Sequence, residues 1–306
     1  MLCEIQQWGS FWTTYFTLLV ITFSVTFFAS LALFWYYYIN ATYEKWQWKT
    51  HPKYAAPEKI RDEIILMASG IWTSVFLPTI SLNLTQRGLS EGYCGVGDHG
   101  WSYLVGSFLL VVGISDFVEW FLHWSSHKWE AGWKVHKAHH LMFNPSPFAV
   151  VADRAPDQFI RALPLAIFPM LMPINMDMLF GTFAVFFYAY GLYLHCGHEF
   201  PWPGAHHSWI NTSFQHYIHH AGGRNPQHSG FFFKIWDNLV GATYKDQEDP
   251  KKCLCVEHCK LRGERTREAW EKVVMPDYST LLSPSFFIKG LPIIFSGGGP
   301  TEQKDL

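Results

Sequence analysis

The run from Phe11 to Ile39, FWTTYFTLLVITFSVTFFASLALFWYYYI, carries no charged side chain. A helix needs about 20 predominantly apolar residues to cross the hydrocarbon core of a bilayer, and this run exceeds that. Trp12 stands at one end and Trp35 to Tyr38 at the other, where interfacial aromatic anchors belong. A second run extends from Ile64 to Leu84, interrupted by Pro78, and a third from Trp101 to Leu122. The fourth region, Phe159 to Leu194, is broken by Pro164, Pro169, Pro173 and Asn175-Met176-Asp177, so it reads as a tilted helical hairpin rather than two straight spans. Only 16% of the 306 residues are charged, against a usual share of about 25%. Buried helices of a soluble α protein are the alternative, and the length of the first run argues against them.

Loop charges predict the orientation. Residues 40–62 hold Lys45, Lys49, Lys53, Lys59 and Arg61, whereas 85–100 hold only Arg87. Residues 123–158 hold Lys128, Lys134, Lys137 and Arg154, and the region after His195 holds twelve more Lys and Arg. By the positive-inside rule the N-terminus and loop 85–100 face the lumen, while loop 40–62 and essentially everything from His123 onward face the cytosol. No basic stretch precedes the first run, so it reads as a retained anchor rather than a signal peptide. The net charge of −2 gives no basic bias and argues against nucleic acid as a partner.

Cys196, Cys253, Cys255 and Cys259 all fall on the cytosolic side, where disulfides are rare. Cys253-x-Cys255-x2-His258-Cys259 lacks the two separated ligand pairs of structural zinc sites, so reduced surface thiols are the expectation.

Histidine carries the chemical information. Of 16 histidines, nine form four groups: His123-x3-His127, His136-x2-His139-His140, His195 alone, and His216-x2-His219-His220. In a chain this rich in His, one chance HxxHH would occur about 4% of the time, and two copies roughly once in a thousand. Spacings of three and four place imidazoles on one helical face. Nine converging nitrogen ligands exceed the needs of one ion, so two metals are implied. Zinc cannot cycle its redox state, and a histidine-rich site at a membrane surface suggests iron and dioxygen chemistry. His51, His99 and His258 belong to no cluster and read as bystanders. His198, His206, His207 and His228 stay undecided between further ligands, partners of ligands, and neither. Asp116 and Glu119 precede His123 by seven and four residues on the same helical face, and Glu199, Asp157 and Asp237 stand behind them. Carboxylates near a membrane segment are usually functional, and metal-bound imidazoles commonly donate their second N–H to one. Helix capping is an equally good reading for each.

No Walker loop, HExxH helix or CxxCH haem attachment is present. An oxygen-activating metal site needs electrons, which must therefore come from another protein.

From about Ser115 to Tyr244 the chain resembles the fatty acid hydroxylase/sterol desaturase superfamily of membrane di-iron proteins, and within it the C5-sterol desaturases. The stretch HKAHHLMFNPSPFAVVADRAPDQFIRALPLAIFPMLMP (136–173) resembles their HxxHH segment followed by a proline-bearing membrane hairpin. His195 resembles the lone histidine after that hairpin, NTSFQHYIHH (211–220) the last histidine box, and FFFKIWDNLVGATY (231–244) the closing segment. Three positions depart from the pattern. Arg154-Ala155-Pro156 stands where many members have His-Pro, Gln215 where four-histidine boxes have His, and His198 where an aromatic residue is expected. The resemblance implies two iron ions, with zinc as an occupant of purified samples, and an external electron donor such as cytochrome b5. It also implies a lipid substrate entering from the bilayer past Phe180 to Tyr193.

The expected fold is all-α, a multi-pass membrane bundle of about four segments, the last a hairpin, under a cytosolic His-rich di-metal helical cap. Three regions are expected: membrane helices over 1–100, the conserved-type domain over 101–245, and a cytosolic tail over 246–306. The expected ligands are His123, His127, His136, His139, His140, His195, His216, His219 and His220. His198, His207, His228, Asp116, Glu119, Asp157 and Asp237 are further ligand or support candidates. The expected activity is O2-dependent sterol C5-desaturation, with C4-methyl sterol oxidation or fatty-acyl or sphingolipid hydroxylation next. A non-catalytic subunit of a larger membrane complex is the alternative of another class. The resemblance places the protein in the endoplasmic reticulum, with the mitochondrial inner membrane as alternative; the terminal EQKDL is not a retrieval signal.

Overall fold

The computed structural model describes residues 9–97 and 99–295; the EQKDL end lies outside them. The described chain is mostly helical, and it contains four helices long and apolar enough to cross a membrane. These are α1 (Phe11–Ile39), α2 (Pro57–Gln86), α3 (Gly100–Lys128) and a later helix, α7 (Met176–His195). Between α3 and α7 come α4 (Glu130–His136), α5 (Ala155–Arg161) and α6 (Leu163–Leu171). After α7 follow α8 (Ser213–Ala221), α9 (Ile235–Val240) and α10 (Val256–Leu261).

Ser10 starts α1 by accepting a hydrogen bond from the Thr13 amide. One face of the helix buries Tyr15, Leu18, Phe34 and Tyr38, while Val20, Val25 and Phe28 on the other stay about 60% exposed. An apolar band of that kind is stable in lipid rather than water. The second helix is bent at Val75. Pro78 has no amide to offer the carbonyl of Ser74, which breaks the regular ladder there.

The fourth apolar region differs from the expectation. Its first arm is two short helices, α5 and α6, separated at Ala162, and neither is long enough to span. The chain then turns into β2 (Ile174–Asn175), which pairs in parallel with β1 (Gly92–Tyr93). The Asn175 amide donates to Gly95 O at 2.6 Å, and its side-chain oxygen caps the first turn of α7. The hairpin tip is therefore fastened to loop 85–100, beside the start of α3, where Tyr103 donates to Pro173 O. Not everything after His123 lies at one end of the bundle: the tip reaches the end opposite His123 and His195. Prolines shorten the first arm, but β-pairing at the tip carries the excursion through. Gly95-x-Gly97-x2-Gly100 has the spacing of a dinucleotide loop. Here it joins a two-residue strand to a membrane-length helix instead of opening a βαβ unit.

The loop from Met142 to Asp153 is tied to the spans. Ser30 donates to Pro147 O at 2.9 Å, Tyr38 donates to Pro145 O at 3.1 Å, and Glu63 of α2 accepts from both the amide and the hydroxyl of Ser146. Gly197, two residues past His195, completes this junction with φ +71°. Its carbonyl accepts from the Thr50 amide, and a Cβ there would meet the Tyr38 hydroxyl and lie 3.0 Å from Pro145 O. Gly197→Ala is expected to cost about 2–4 kcal/mol, from left-handed strain plus overpacking. The readout is a thermal midpoint several degrees lower in detergent, and an unchanged midpoint would refute it.

Candidate metal centre

All nine clustered histidines are buried and converge at the end of the bundle where α3 and α7 finish. They fall into two sets. His123 and His127 from α3, His136 ending α4, His140, and His219 from α8 form one; His139, His195 ending α7, and His216 and His220 from α8 form the other. Within each set, one ring nitrogen or equivalent atom per residue lies within 4.8 Å of all the others.

The first triplet does not lie on one helical face as its spacing suggested. The α4 helix stops at His136, and His139 and His140 sit in a following 3-10 turn. Even so, His136 and His140 go to one set and His139 to the other. The last triplet does lie on a helix, with His216 and His220 one turn apart in one set and His219 in the other. Gln215, which departs from the four-histidine pattern, closes a capping box with Thr212 at the start of that helix.

Five of the nine rings are engaged at Nδ1. The Nδ1 atom of His123 donates to Ser229 O at 3.0 Å, that of His195 to Gly191 O at 2.8 Å, and that of His219 to Gln227 O at 2.7 Å. His136 Nδ1 meets Asp157 Oδ2 at 2.7 Å, and His139 Nδ1 lies 3.0 Å from Asp153 Oδ1. With Nδ1 engaged outward, Nε2 is left with its lone pair facing inward. Inside the cluster, Nε2–Nε2 separations are 3.2 Å for His136 and His140, 3.3 Å for His139 and His195, and 2.9 Å for His195 and His216. Two ligands about 2.1 Å from one ion, at octahedral or tetrahedral angles, stand about 3.0–3.4 Å apart. The Nε2 atoms of His123, His127, His219 and His220 are buried without a hydrogen-bond partner among the described residues. Burial, and then the neighbouring imidazoles, hold His136, His140, His216, His219 and His220 well below the ordinary imidazole range. They are neutral at physiological pH and able to ligate. Buried, neutral, unpartnered and convergent nitrogens fit two metal ions.

The carboxylates redistribute. Asp157 does face an imidazole, and it also accepts from Arg161 Nε at 3.0 Å. Glu119 pairs with Arg161 instead of a histidine. Asp116 accepts from the Phe232 amide and the Trp236 indole, and Glu199 from the Val256 amide. Asp237 accepts from the Trp120 indole and the amides of Ser229 and Gly230, so it acts on His123 only through the Ser229 carbonyl. Sequence reasoning missed Asp153, whose only available clue was its position one turn before Asp157.

The undecided histidines stay outside both sets. His198 stacks on Tyr37 at 4.0 Å, and His207 Nδ1 accepts from the amides of Trp209 and Ile210. His228, at φ +52°, accepts from the Tyr244 amide and pins the loop that supplies the Gln227 and Ser229 carbonyls. His206 and the supposed bystander His258 lie beside Cys253 and Cys255. Those cysteines and Cys259 are buried rather than on the surface, because the tail folds back over α8.

A largely apolar cavity opens from the bundle onto the second set. Leu18 and Thr22 of α1, Pro78 of α2, Val118 of α3, Leu165 of α6, and Phe180, Phe183 and Phe187 of α7 line it. His123, His139, His195 and His216 stand in its wall, together with the Glu119–Arg161 pair and Asp153.

Residues 108–242 match a family model described as fatty acid hydroxylase. The chain is 29% identical over 195 residues to lathosterol oxidase of Mus musculus, a match covering 63% of each chain. It is 26% identical over 200 residues to lathosterol oxidase of Homo sapiens, covering 64% of each. It is 26% identical over 225 residues to a Delta(7)-sterol 5(6)-desaturase of Gibberella zeae, covering 73% of this chain and 61% of the relative. The matched region thus spans less than two thirds of these relatives' length. No solved structure matches the chain.

Proposed function

We propose that this chain, whose residues 108–242 match the fatty acid hydroxylase family model, is a membrane-bound, O2-dependent lipid oxidase of the fatty acid hydroxylase/sterol desaturase superfamily acting as a sterol C5-desaturase. The observation that carries this reading is the position of four of the nine buried histidines in the wall of an apolar cavity framed by membrane-length helices. The nine histidines would hold two iron ions, which when bound would supply the redox chemistry with dioxygen needed to oxidise an unactivated carbon. The chain's own contribution is placement. The Phe180, Phe183 and Phe187 rings and the α1 face exclude water and fix the lipid's approach. The Ser229, Gly191 and Gln227 carbonyls hold His123, His195 and His219 by Nδ1, and Asp157 and Asp153 stand at Nδ1 of His136 and His139, which keeps those Nε2 atoms inward.

The charge pattern supports a cytosolic position for this end, where an electron donor such as cytochrome b5 would reach it. Cys94, in loop 85–100 at the other end, is disulfide-bonded, while Cys196, Cys253, Cys255 and Cys259 are free. That division supports a reducing cytosolic side and an oxidising lumenal side of the endoplasmic reticulum.

The test is sterol profiling of cells lacking their own C5-desaturase. Expression of the chain is expected to convert Δ7-sterols to Δ5,7-sterols. A fall in 4-methylsterols alone would move the substrate to the C4-methyl branch, and new hydroxylated acyl chains would move it to the lipid hydroxylases. A metal-loaded protein that alters no lipid would point to a non-catalytic subunit.

Asp153 stands in the cavity wall beside His139, so the effect of Asp153→Asn on the metal is read by metal affinity rather than by turnover. The substitution removes the negative charge beside His139 Nδ1 while keeping shape, and we expect a loss of metal affinity of about 10–100-fold. A competition titration against a chelator measures it, and unchanged affinity would show that Asp153 does not support His139.

A further inference from the structure

We propose that His206, Cys253, Cys255 and His258 form a second, structural metal site that takes zinc and clamps the chain after α9 onto the outer side of α8. One ligand atom from each of the four lies within 4.8 Å of the other three. His206 Nε2 stands 3.3 Å from Cys255 Sγ and 3.5 Å from Cys253 Sγ. In a tetrahedron with Zn–S of about 2.3 Å and Zn–N of about 2.1 Å, ligand–ligand edges run about 3.4–3.8 Å. The side chains already stand at nearly those separations. The His206 and His258 rings lie nearly parallel, with centroids 5.4 Å apart, and the Nδ1 of each is buried without a hydrogen-bond partner among the described residues. Each sulfur is served by a backbone amide: Cys255 N approaches Cys253 Sγ at 3.4 Å, and His258 N approaches Cys255 Sγ at 3.5 Å. Amides directed at sulfur favour the thiolate, the form that binds zinc.

The spacing hid this site. Cys253-x-Cys255-x2-His258 supplies three ligands from one short segment, and the fourth comes from His206, 47 residues earlier. Cys259 is not part of it; its sulfur lies 3.2 Å from Arg262 Nη2. Cys253 and Cys255 share an apolar cluster with Ala205 and with Phe214, Tyr217, Ile218 and Ala221 of α8. His206 also packs edge-on against Phe214 at 5.5 Å. The helix that presents His216, His219 and His220 on one side is thus covered on the other by a clasp joining two distant segments. Closing that loop by a metal limits the disorder open to both. The set is soft and all-protein, which suits a structural role and differs from the all-nitrogen histidine cluster.

The experiment uses the full chain purified in detergent with zinc, read by X-ray absorption at the zinc edge together with metal counting. The histidine cluster contains no sulfur, so metal–sulfur scattering at about 2.3 Å from two sulfurs per clasp reports this site alone. Wild-type protein should show it, and Cys253→Ser with Cys255→Ser should abolish it and lower the zinc count by one per chain. Cys259→Ser should leave both unchanged. Absence of zinc–sulfur scattering from the wild-type protein overturns the proposal even if the double variant cannot be purified. So does a disulfide between Cys253 and Cys255, or scattering that survives the double substitution. Neither outcome bears on the histidine cluster or its lipid chemistry.

Discussion

Replacing His139 with Ala is expected to abolish turnover, by at least about 100-fold, and to lower the bound iron by close to one equivalent. His139 belongs to the smaller set, so its loss leaves only His195, His216 and His220 there. It also strands Asp153, a buried carboxylate that faces the His139 ring at 3.0 Å. An unpaired charge at that depth opposes retention of the local geometry. The helices themselves have no reason to unfold, because the loop that follows the 3-10 turn carrying His139 is fastened independently through Ser146 and Pro147 to Glu63 and Ser30. Helical content by circular dichroism should match wild type while product formation and iron content fall. The control is His207→Ala, whose ring serves only a surface turn and whose loss should leave both readings intact. Turnover that persists in His139→Ala would remove the di-iron assignment.

Asp237→Ala should be the most destabilising of these changes, at about 3–5 kcal/mol. Its carboxylate accepts from the Trp120 indole at 3.1 Å, the Ser229 amide at 3.2 Å and the Gly230 amide at 2.8 Å. Alanine leaves three buried donors without an acceptor, each costing about 1–3 kcal/mol before relaxation. Asn keeps one acceptor oxygen and should lose less. The consequence reaches the metal centre, since the Ser229 carbonyl holds His123. The thermal midpoint in detergent should fall steeply for Ala and moderately for Asn, with iron retention falling in the same order. If Ala and Asn behave alike and retain full iron, Asp237 does not organise the loop.

Several features were legible before the fold. Lipid imposes long uncharged runs on any helix that faces it. That constraint is written locally, so the spans at 11–39 and 100–128 stand within a few residues of where the sequence puts them. The nine histidines were equally visible, because the HxxxH pair and the two HxxHH triplets are short-range patterns of one residue type. Spacing could not say how they divide. His136 and His140 join His219, whereas His216 and His220 join His139, and nothing in either HxxHH marks that crossing. Glu119 shared a helical face with His123, yet Arg161, 42 residues later, takes it.

The sequence by itself determined the solvent the chain must live in, the identity of the clustered nitrogens and the kind of chemistry they suit. Each of these follows from residue type and short-range period. The tertiary structure alone decided the division into two sets, the anchoring of rings by Asp153, Gln227 and Ser229, and the through-going hairpin. It alone also brought His206 to Cys253 and Cys255. These arrangements join segments from eight to more than a hundred residues apart, and their partners are chosen by packing and by the need to satisfy buried polar groups. No local pattern records that choice.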